Sequence, residues 1–169
     1  MDCKERKAGW LNKIAAFLPL AVMMIIIYAF SAMQGDESSR TSGVFLKALM
    51  KFAEELTHKG FTEKAAESLH LIIRKCAHFT EYAMLGACAM YALKNGLGFF
   101  ERHVGLSVLF AEIFCALYAT TDEIHQYFVP GRYGTPGDVL IDSCGAITGI
   151  LLFAAIVKAR LKKGNKNEI

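Results

Sequence analysis

The sequence lacks the short motifs with which small proteins bind metals or form redox pairs. Its five cysteines include no CxxC pair and no Cys-His spacing typical of zinc sites. Four of the five lie in or beside apolar segments, where a free thiol behaves as a small hydrophobic side chain. We therefore interpret the cysteines as packing residues and expect no disulfide bonds.

The chain also lacks a large excess of charge. Its formal net charge is +3 over 169 residues, and most of its Lys and Arg residues lie at both termini and in the first loop. This distribution gives no signature of nucleic-acid binding and is expected of a protein flanked by anionic lipid. We therefore expect membrane lipids as partners and no nucleic acid.

Long apolar segments are abundant instead. Hydrophobic residues make up 54% of the chain and the mean hydropathy is +0.32, which is too apolar for an ordinary soluble domain. A membrane-spanning helix needs about 20 mostly apolar residues. Four segments approach this length and are, from strongest to weakest, 14–33, 104–121, 139–157 and 76–93. The first is too long for a signal peptide and lacks a small-residue cleavage site before a soluble remainder.

These segments predict an all-α fold, a polytopic membrane helical bundle with about four transmembrane helices in a single domain over residues 1–169. Gly145 and Gly149 form a GxxxG pair in the last span, which we interpret as a helix-packing surface within the bundle. The first loop, residues 34–75, contains an amphipathic segment at 44–56 with apolar residues at helical spacing. Two interpretations of this segment stay open, a surface helix packed on its own protein and a helix lying in the membrane interface.

Positive charge in the loops predicts the orientation. With both termini on one side, eleven Lys and Arg lie there and eight lie on the other side, seven of them spread through the long first loop. Because positive residues near span ends favour the cytoplasm, we predict that the N and C termini are cytoplasmic and that the first loop is extracytoplasmic.

Ionisable residues converge on one end of the predicted bundle. His78 and Glu81 begin the second span, the stretch from Asp122 to Gln126 ends the third, and Asp138 and Asp142 begin the fourth. The alternation of four spans places all of them at the same membrane face, whichever way the protein is oriented. Ionisable groups at such depth are costly, so they usually line a cavity or a site.

Several chemistries fit these residues. A His with two or more carboxylates could bind a divalent cation such as Mg²⁺, Mn²⁺ or Zn²⁺. The same groups could perform acid–base catalysis on a phosphate or sugar phosphate, with Arg132 as an anion clamp. Alternatively, the polar groups neutralise one another and only tie the helices together. Asp138 is equally explained as a first-turn residue that the helix dipole favours.

Three stretches resemble the VanZ-like family of bacterial integral membrane proteins. They are RKCAHFTEYAMLG at 74–86, DEIHQYFVPGR at 122–132 and GDVLIDSCGAITG at 137–149. The resemblance implies a bacterial cell-envelope protein, and the family's named member is associated with reduced susceptibility to teicoplanin-type glycopeptide antibiotics. The family supplies no agreed catalytic residues. It admits Asn as readily as Asp at position 142, which would argue against an obligatory metal ligand there.

The convergence and the resemblance together define the candidate site. The hypothesised catalytic residues are His78, Glu81, Asp122 and Glu123, and the hypothesised binding residues are Lys75, Tyr82, Gln126, Arg132 and Asp138.

We expect action on a lipid or lipid-linked envelope substrate at the outer membrane face. The alternative is a non-catalytic binder or envelope modulator, with a lipid-linked envelope precursor or a lipoglycopeptide as ligand and a mainly structural polar cluster. A transporter is disfavoured, since the sequence shows no internal repeat or broken-helix pair.

Overall fold

The computed structural model describes residues 10–33, 62–132 and 134–166, and positions 48, 50, 51 and 55 between the first two ranges. The described residues contain four long helices, which are α1 (Leu18–Ser31), α2 (Glu63–Asn95), α3 (Val104–Tyr127) and α4 (Pro136–Lys166). No strand occurs in these described ranges. The predicted all-α helical bundle is confirmed.

Within the part of the chain that the structure describes, three helices are long and apolar enough to cross a membrane, and they cover Trp10–Ser31, Val104–Tyr127 and Pro136–Lys163. They contain most or all of the predicted spans 14–33, 104–121 and 139–157. The fourth predicted span, 76–93, is not among them. It lies inside α2, where His78 and Glu81 lower the hydropathy of an otherwise apolar segment.

Helix α2 also begins earlier than the sequence suggests. It starts at Glu63, after Thr62, whose hydroxyl accepts a hydrogen bond from Ala65 N as an N-cap. The last part of the predicted loop 34–75 is therefore helical, and His78 lies well inside a helix rather than at its start. Most of the amphipathic segment 44–56 lies outside the described residues, so its two interpretations are not distinguished.

Helices α2 and α4 pack closely in the centre of the bundle. A Cβ atom at Gly145 would overlap the carbonyl group of Phe79, and one at Gly149 would overlap that of Ala83. The GxxxG surface therefore serves packing within the chain, as the sequence predicts. In these contact pairs the residue number rises along α4 as it rises along α2, so the two helices run parallel.

Helices α1 and α3 run parallel to each other. Tyr118 on α3 donates a hydrogen bond to the carbonyl oxygen of Met24 on α1 at 2.7 Å, and the C-terminal ends of the two helices lie together. Large apolar side chains such as Leu109, Leu117 and Leu151 remain exposed on the outside, as expected of a lipid-facing surface. The ends of α1 and α3 thus meet the start of α4 beside the middle of α2.

Candidate functional site

A tight turn after α3 directs the chain back toward α1. Helix α3 ends at Tyr127, and Arg132 N then donates to the carbonyl oxygen of Val129 at 3.1 Å. Gly131 has φ +75°, a conformation that glycine adopts without strain and that a Pro-Gly type II turn requires. The turn therefore places Arg132 beneath the C-terminal end of α1.

Arg132 joins α1 to the polar cluster. Its Nη2 donates to Phe30 O at 2.7 Å and its Nε to Met33 O at 3.2 Å, which satisfies carbonyl groups at the end of a helix. Its Nη1 donates to Gln126 Oε1 at 3.2 Å. Burial lowers the pKa of the Arg132 guanidinium, which nevertheless stays charged at neutral pH. All three nitrogens have protein acceptors, which favours a structural tie over an anion clamp.

The hydrogen-bond network continues from Gln126 into a group of three side chains whose types can bind a metal ion. Gln126 Nε2 donates to Asp122 Oδ2 at 2.9 Å. Asp122, His78 and Asp142 each offer one ligand atom, and these atoms lie within 4.8 Å of one another. His78 Nδ1 lies 3.9 Å from Asp142 Oδ1. Helices α2, α3 and α4 therefore each contribute one member.

Asp142 is the most deeply buried acidic residue of this group. Its side chain has no exposed surface, and neither oxygen has a hydrogen-bond partner among the described residues. The hydroxyl of Tyr82, a residue with no exposed surface, is likewise unpartnered there. The set of candidate residues drawn from the sequence omits Asp142. Its position one turn beyond Asp138, on the same helix face, was the sequence feature that could have identified Asp142 as a site residue.

Asp138 has a different environment. Thr135 N-caps α4, because its hydroxyl accepts from Asp138 N at 3.2 Å and donates to Asp138 Oδ2 at 2.9 Å. Lys75 Nζ forms an ion pair with Asp138 Oδ1. Asp138 therefore has the first-turn role that the sequence analysis offered as an alternative.

Glu123 anchors the same loop to α3. Its Oε2 accepts a hydrogen bond from Thr135 N at 2.9 Å, and the residue is 6% exposed. The adjacent Gly134 packs against the carbonyl group of Glu123, where a Cβ atom would overlap. Glu123 is thus held by backbone contacts and retains a second carboxylate oxygen for chemistry.

A cavity of about 260 Å³ opens beside these groups. Its lining residues are Leu71, Arg74, Lys75, His78, Glu123, Gln126, Thr135, Asp138, Ile141 and Asp142. Arg74 and Thr135 were not predicted. Arg74 lies in a stretch that carries the family resemblance, and the TPGD sequence at 135–138 has the spacing of a helix cap, so each had a weak signal.

The predicted residues fall into three groups. His78, Asp122, Glu123 and Gln126 line the cavity or adjoin it, and Arg132 joins them through Gln126. Lys75 and Asp138 form the ion pair at its edge. Glu81 lies near the charges of Asp122 and Arg132, and Tyr82 packs beside Tyr118 with their ring centroids 6.4 Å apart. Glu81 and Tyr82 form no side-chain hydrogen bond to another described residue.

Apolar helices around a buried acidic cluster define a helical membrane protein with a polar cavity at one end of its bundle. The VanZ/LLP1 family model matches residues 10–158, so the chain belongs to this family. The family's known association is with antibiotic resistance. No curated protein and no solved structure shows significant similarity to the chain.

Proposed function

We propose that the chain binds and hydrolyses an amphiphilic envelope molecule with a phosphate-bearing headgroup. The observation that carries this proposal is the composition of the cavity. Apolar Leu71 and Ile141 adjoin the cationic Arg74 and Lys75, and the same cavity reaches His78, Glu123 and Asp142. An apolar wall beside cations suits a lipid phosphate, and the acid–base groups suit chemistry on it.

Each residue has a distinct role in the proposed reaction. Arg74 and Lys75 hold the anionic phosphate. Glu123 accepts a proton from water as a P–O bond forms to the phosphorus atom. The P–O bond to the lipid alcohol breaks, and the departing alkoxide takes the proton that Glu123 accepted from water. The Thr135 backbone holds Glu123 Oε2 and leaves the other oxygen to accept the proton.

The second candidate function is non-catalytic capture of the headgroup, or of a lipoglycopeptide, by an envelope modulator. The occupied donors of Arg132 and the capping role of Asp138 favour it, because both residues are engaged in the fold. Either function, placed at the outer membrane face, would lower susceptibility to teicoplanin-type glycopeptides. The support for that effect is the association of the family.

Turnover of labelled lipids distinguishes the two candidates. Purified protein in lipid nanodiscs is incubated with headgroup-labelled phospholipid or labelled polyprenyl phosphate, and both binding and phosphate release are measured. Hydrolysis requires release by the wild type and its loss in Glu123→Gln. The control is Glu101→Gln, since the Glu101 side chain is 64% exposed in the loop before α3. Saturable binding without release supports capture, and neither binding nor release refutes both.

A further inference from the structure

We propose that His78, Asp122 and Asp142 bind one divalent transition-metal ion in this chain, with a ligand set that a relative with Asn at the position of Asp142 would lack. One ligand atom from each lies within 4.8 Å of the others. Ligand atoms bound at about 2.0–2.2 Å in tetrahedral geometry lie about 3.3–3.6 Å from one another. The ligand atoms therefore need to approach one another by up to roughly 1.5 Å, a distance that side-chain rotations can cover. They come from three helices, so the ion would also fasten the centre of the bundle.

The state of Asp142 is the second and independent observation. Its carboxylate is fully buried and has no hydrogen-bond partner among the described residues, an arrangement that is strongly unfavourable without a compensating charge. Two of the nearby cations are engaged elsewhere, because Lys75 pairs with Asp138 and Arg132 bonds to Gln126 and α1. Arg74, which also lines the cavity, forms no hydrogen bond to Asp142. His78 Nδ1, also buried and unpartnered, faces Asp142 Oδ1 at 3.9 Å. A shared cation would satisfy both groups.

The ligand set indicates which ion binds. One imidazole nitrogen with two carboxylates suits Zn²⁺ or Mn²⁺ better than Ca²⁺ or Mg²⁺, which prefer oxygen ligands alone. Three protein ligands leave a coordination position for water or substrate, and His78 and Asp142 line the cavity from which it would enter. The hydrogen bond from Gln126 orients Asp122, as groups behind a metal ligand commonly do.

This inference deepens the proposed function, because the ion would lie where the phosphate is expected to bind. Only the role of the ion rests on the proposed function, and the binding of the ion does not. Metal binding is therefore measured without lipid. Protein in detergent is stripped with a chelator and titrated with Mn²⁺, followed by electron paramagnetic resonance, and in parallel with Zn²⁺, followed by elemental analysis. We expect one ion per chain and a higher Tm after reloading.

Two variants test the ligands and two serve as controls. Asp142→Asn and His78→Gln are expected to weaken binding by more than about tenfold, as loss of a direct ligand should exceed loss of a group behind one. His103→Gln and Glu101→Gln alter exposed residues outside the cluster and should bind as the wild type does. If Asp142→Asn fails to fold, His78→Gln and the metal-dependent Tm of the wild type decide.

Absence of a stoichiometric ion in the wild type overturns the metal site, as does unchanged binding in both ligand variants. Lipid hydrolysis by a protein that binds no ion would overturn this inference and leave the proposed function standing. A bound ion without lipid turnover would leave the metal site standing and overturn the proposed hydrolysis.

Discussion

Arg132 donates through Nη1 to Gln126 Oε1 at 3.2 Å, and this bond fixes which way the Gln126 amide faces. Nε2 of the same amide then points to Asp122 Oδ2 at 2.9 Å. Because Arg132 also binds Phe30 O and Met33 O, the end of α1 is connected to the acidic cluster through one guanidinium. The orientation of Asp122 therefore depends on a residue that lies in the turn after α3.

Arg132→Lys should destabilise the fold. A lysine ammonium lacks the planar guanidinium group that reaches three acceptors in different directions. At least one of the three hydrogen bonds that Arg132 donates is therefore lost. We expect a loss of about 1.5–3 kcal/mol, measured by thermal unfolding in detergent. Arg102→Lys, at an exposed position in the loop before α3, is the matched control. Equal melting temperatures of the two variants would show that the guanidinium geometry of Arg132 does not contribute to stability.

Gly149→Ala should also destabilise the protein, by roughly 1–3 kcal/mol, because the added methyl group would overlap the backbone of Ala83 and force α2 and α4 apart. Gly105→Ala is the control, since a Cβ atom there meets nothing within 4 Å. That change should be neutral or stabilise by up to about 1 kcal/mol, because alanine favours helices. Thermal unfolding of both variants measures the difference. If Gly149→Ala melts at no lower a temperature than Gly105→Ala, α2 and α4 do not pack as closely as described.

The apolar segments of the sequence were sufficient to predict the three most hydrophobic spans, and their alternation predicted that polar residues meet at one end. The length of α2 was not predictable in this way. Its N-terminal part, from Glu63, carries charged residues on several faces and has no continuous apolar run. The N-cap at Thr62 and helix-favouring residues such as Ala65 and Ala66 support a helix that the hydropathy pattern does not show.

The distinction between Asp138 and Asp142 was also beyond the sequence. Both are acidic and lie four residues apart near the start of one helix. Their environments differ because Gly145 lets α4 approach Phe79 of α2, which encloses Asp142 and leaves Asp138 at the edge with Lys75. The GxxxG spacing predicted a packing surface but not its partner.

Both termini are expected in the cytoplasm, given the basic residues that flank the first and last spans. A phosphatase active only outside the cytoplasm, fused after Ile169, should therefore show little activity. The same reporter fused after Gly134, in the turn before α4, should be active because that turn lies at the end of the bundle opposite the C-terminal end of α4. Strong activity at Ile169 with none at Gly134 would reverse the orientation and move the cavity to the inner face.

The last prediction separates a working site from a structural tie. Asp122→Asn and Glu123→Gln preserve the shape and the hydrogen bonds seen here, because an amide oxygen can still accept from Gln126 Nε2 or Thr135 N. Both variants should therefore remain folded. Each loses a negative charge and the ability to accept a proton, so the chemistry proposed for Glu123 and the ligand charge proposed for Asp122 should disappear.

We accordingly expect Asp122→Asn and Glu123→Gln to melt near the wild type, yet to abolish any reduction in glycopeptide or lipopeptide susceptibility that the wild-type protein confers on cells. Only Asp122→Asn should also weaken metal binding, since Glu123 is not among the three ligand residues. A purely structural cluster gives another pattern, in which both variants lose thermal stability and susceptibility follows the amount of folded protein. Unchanged melting with unchanged susceptibility would refute the working site. The measurements are thermal unfolding in detergent, Mn²⁺ titration and growth inhibition, with Glu101→Gln as the exposed control.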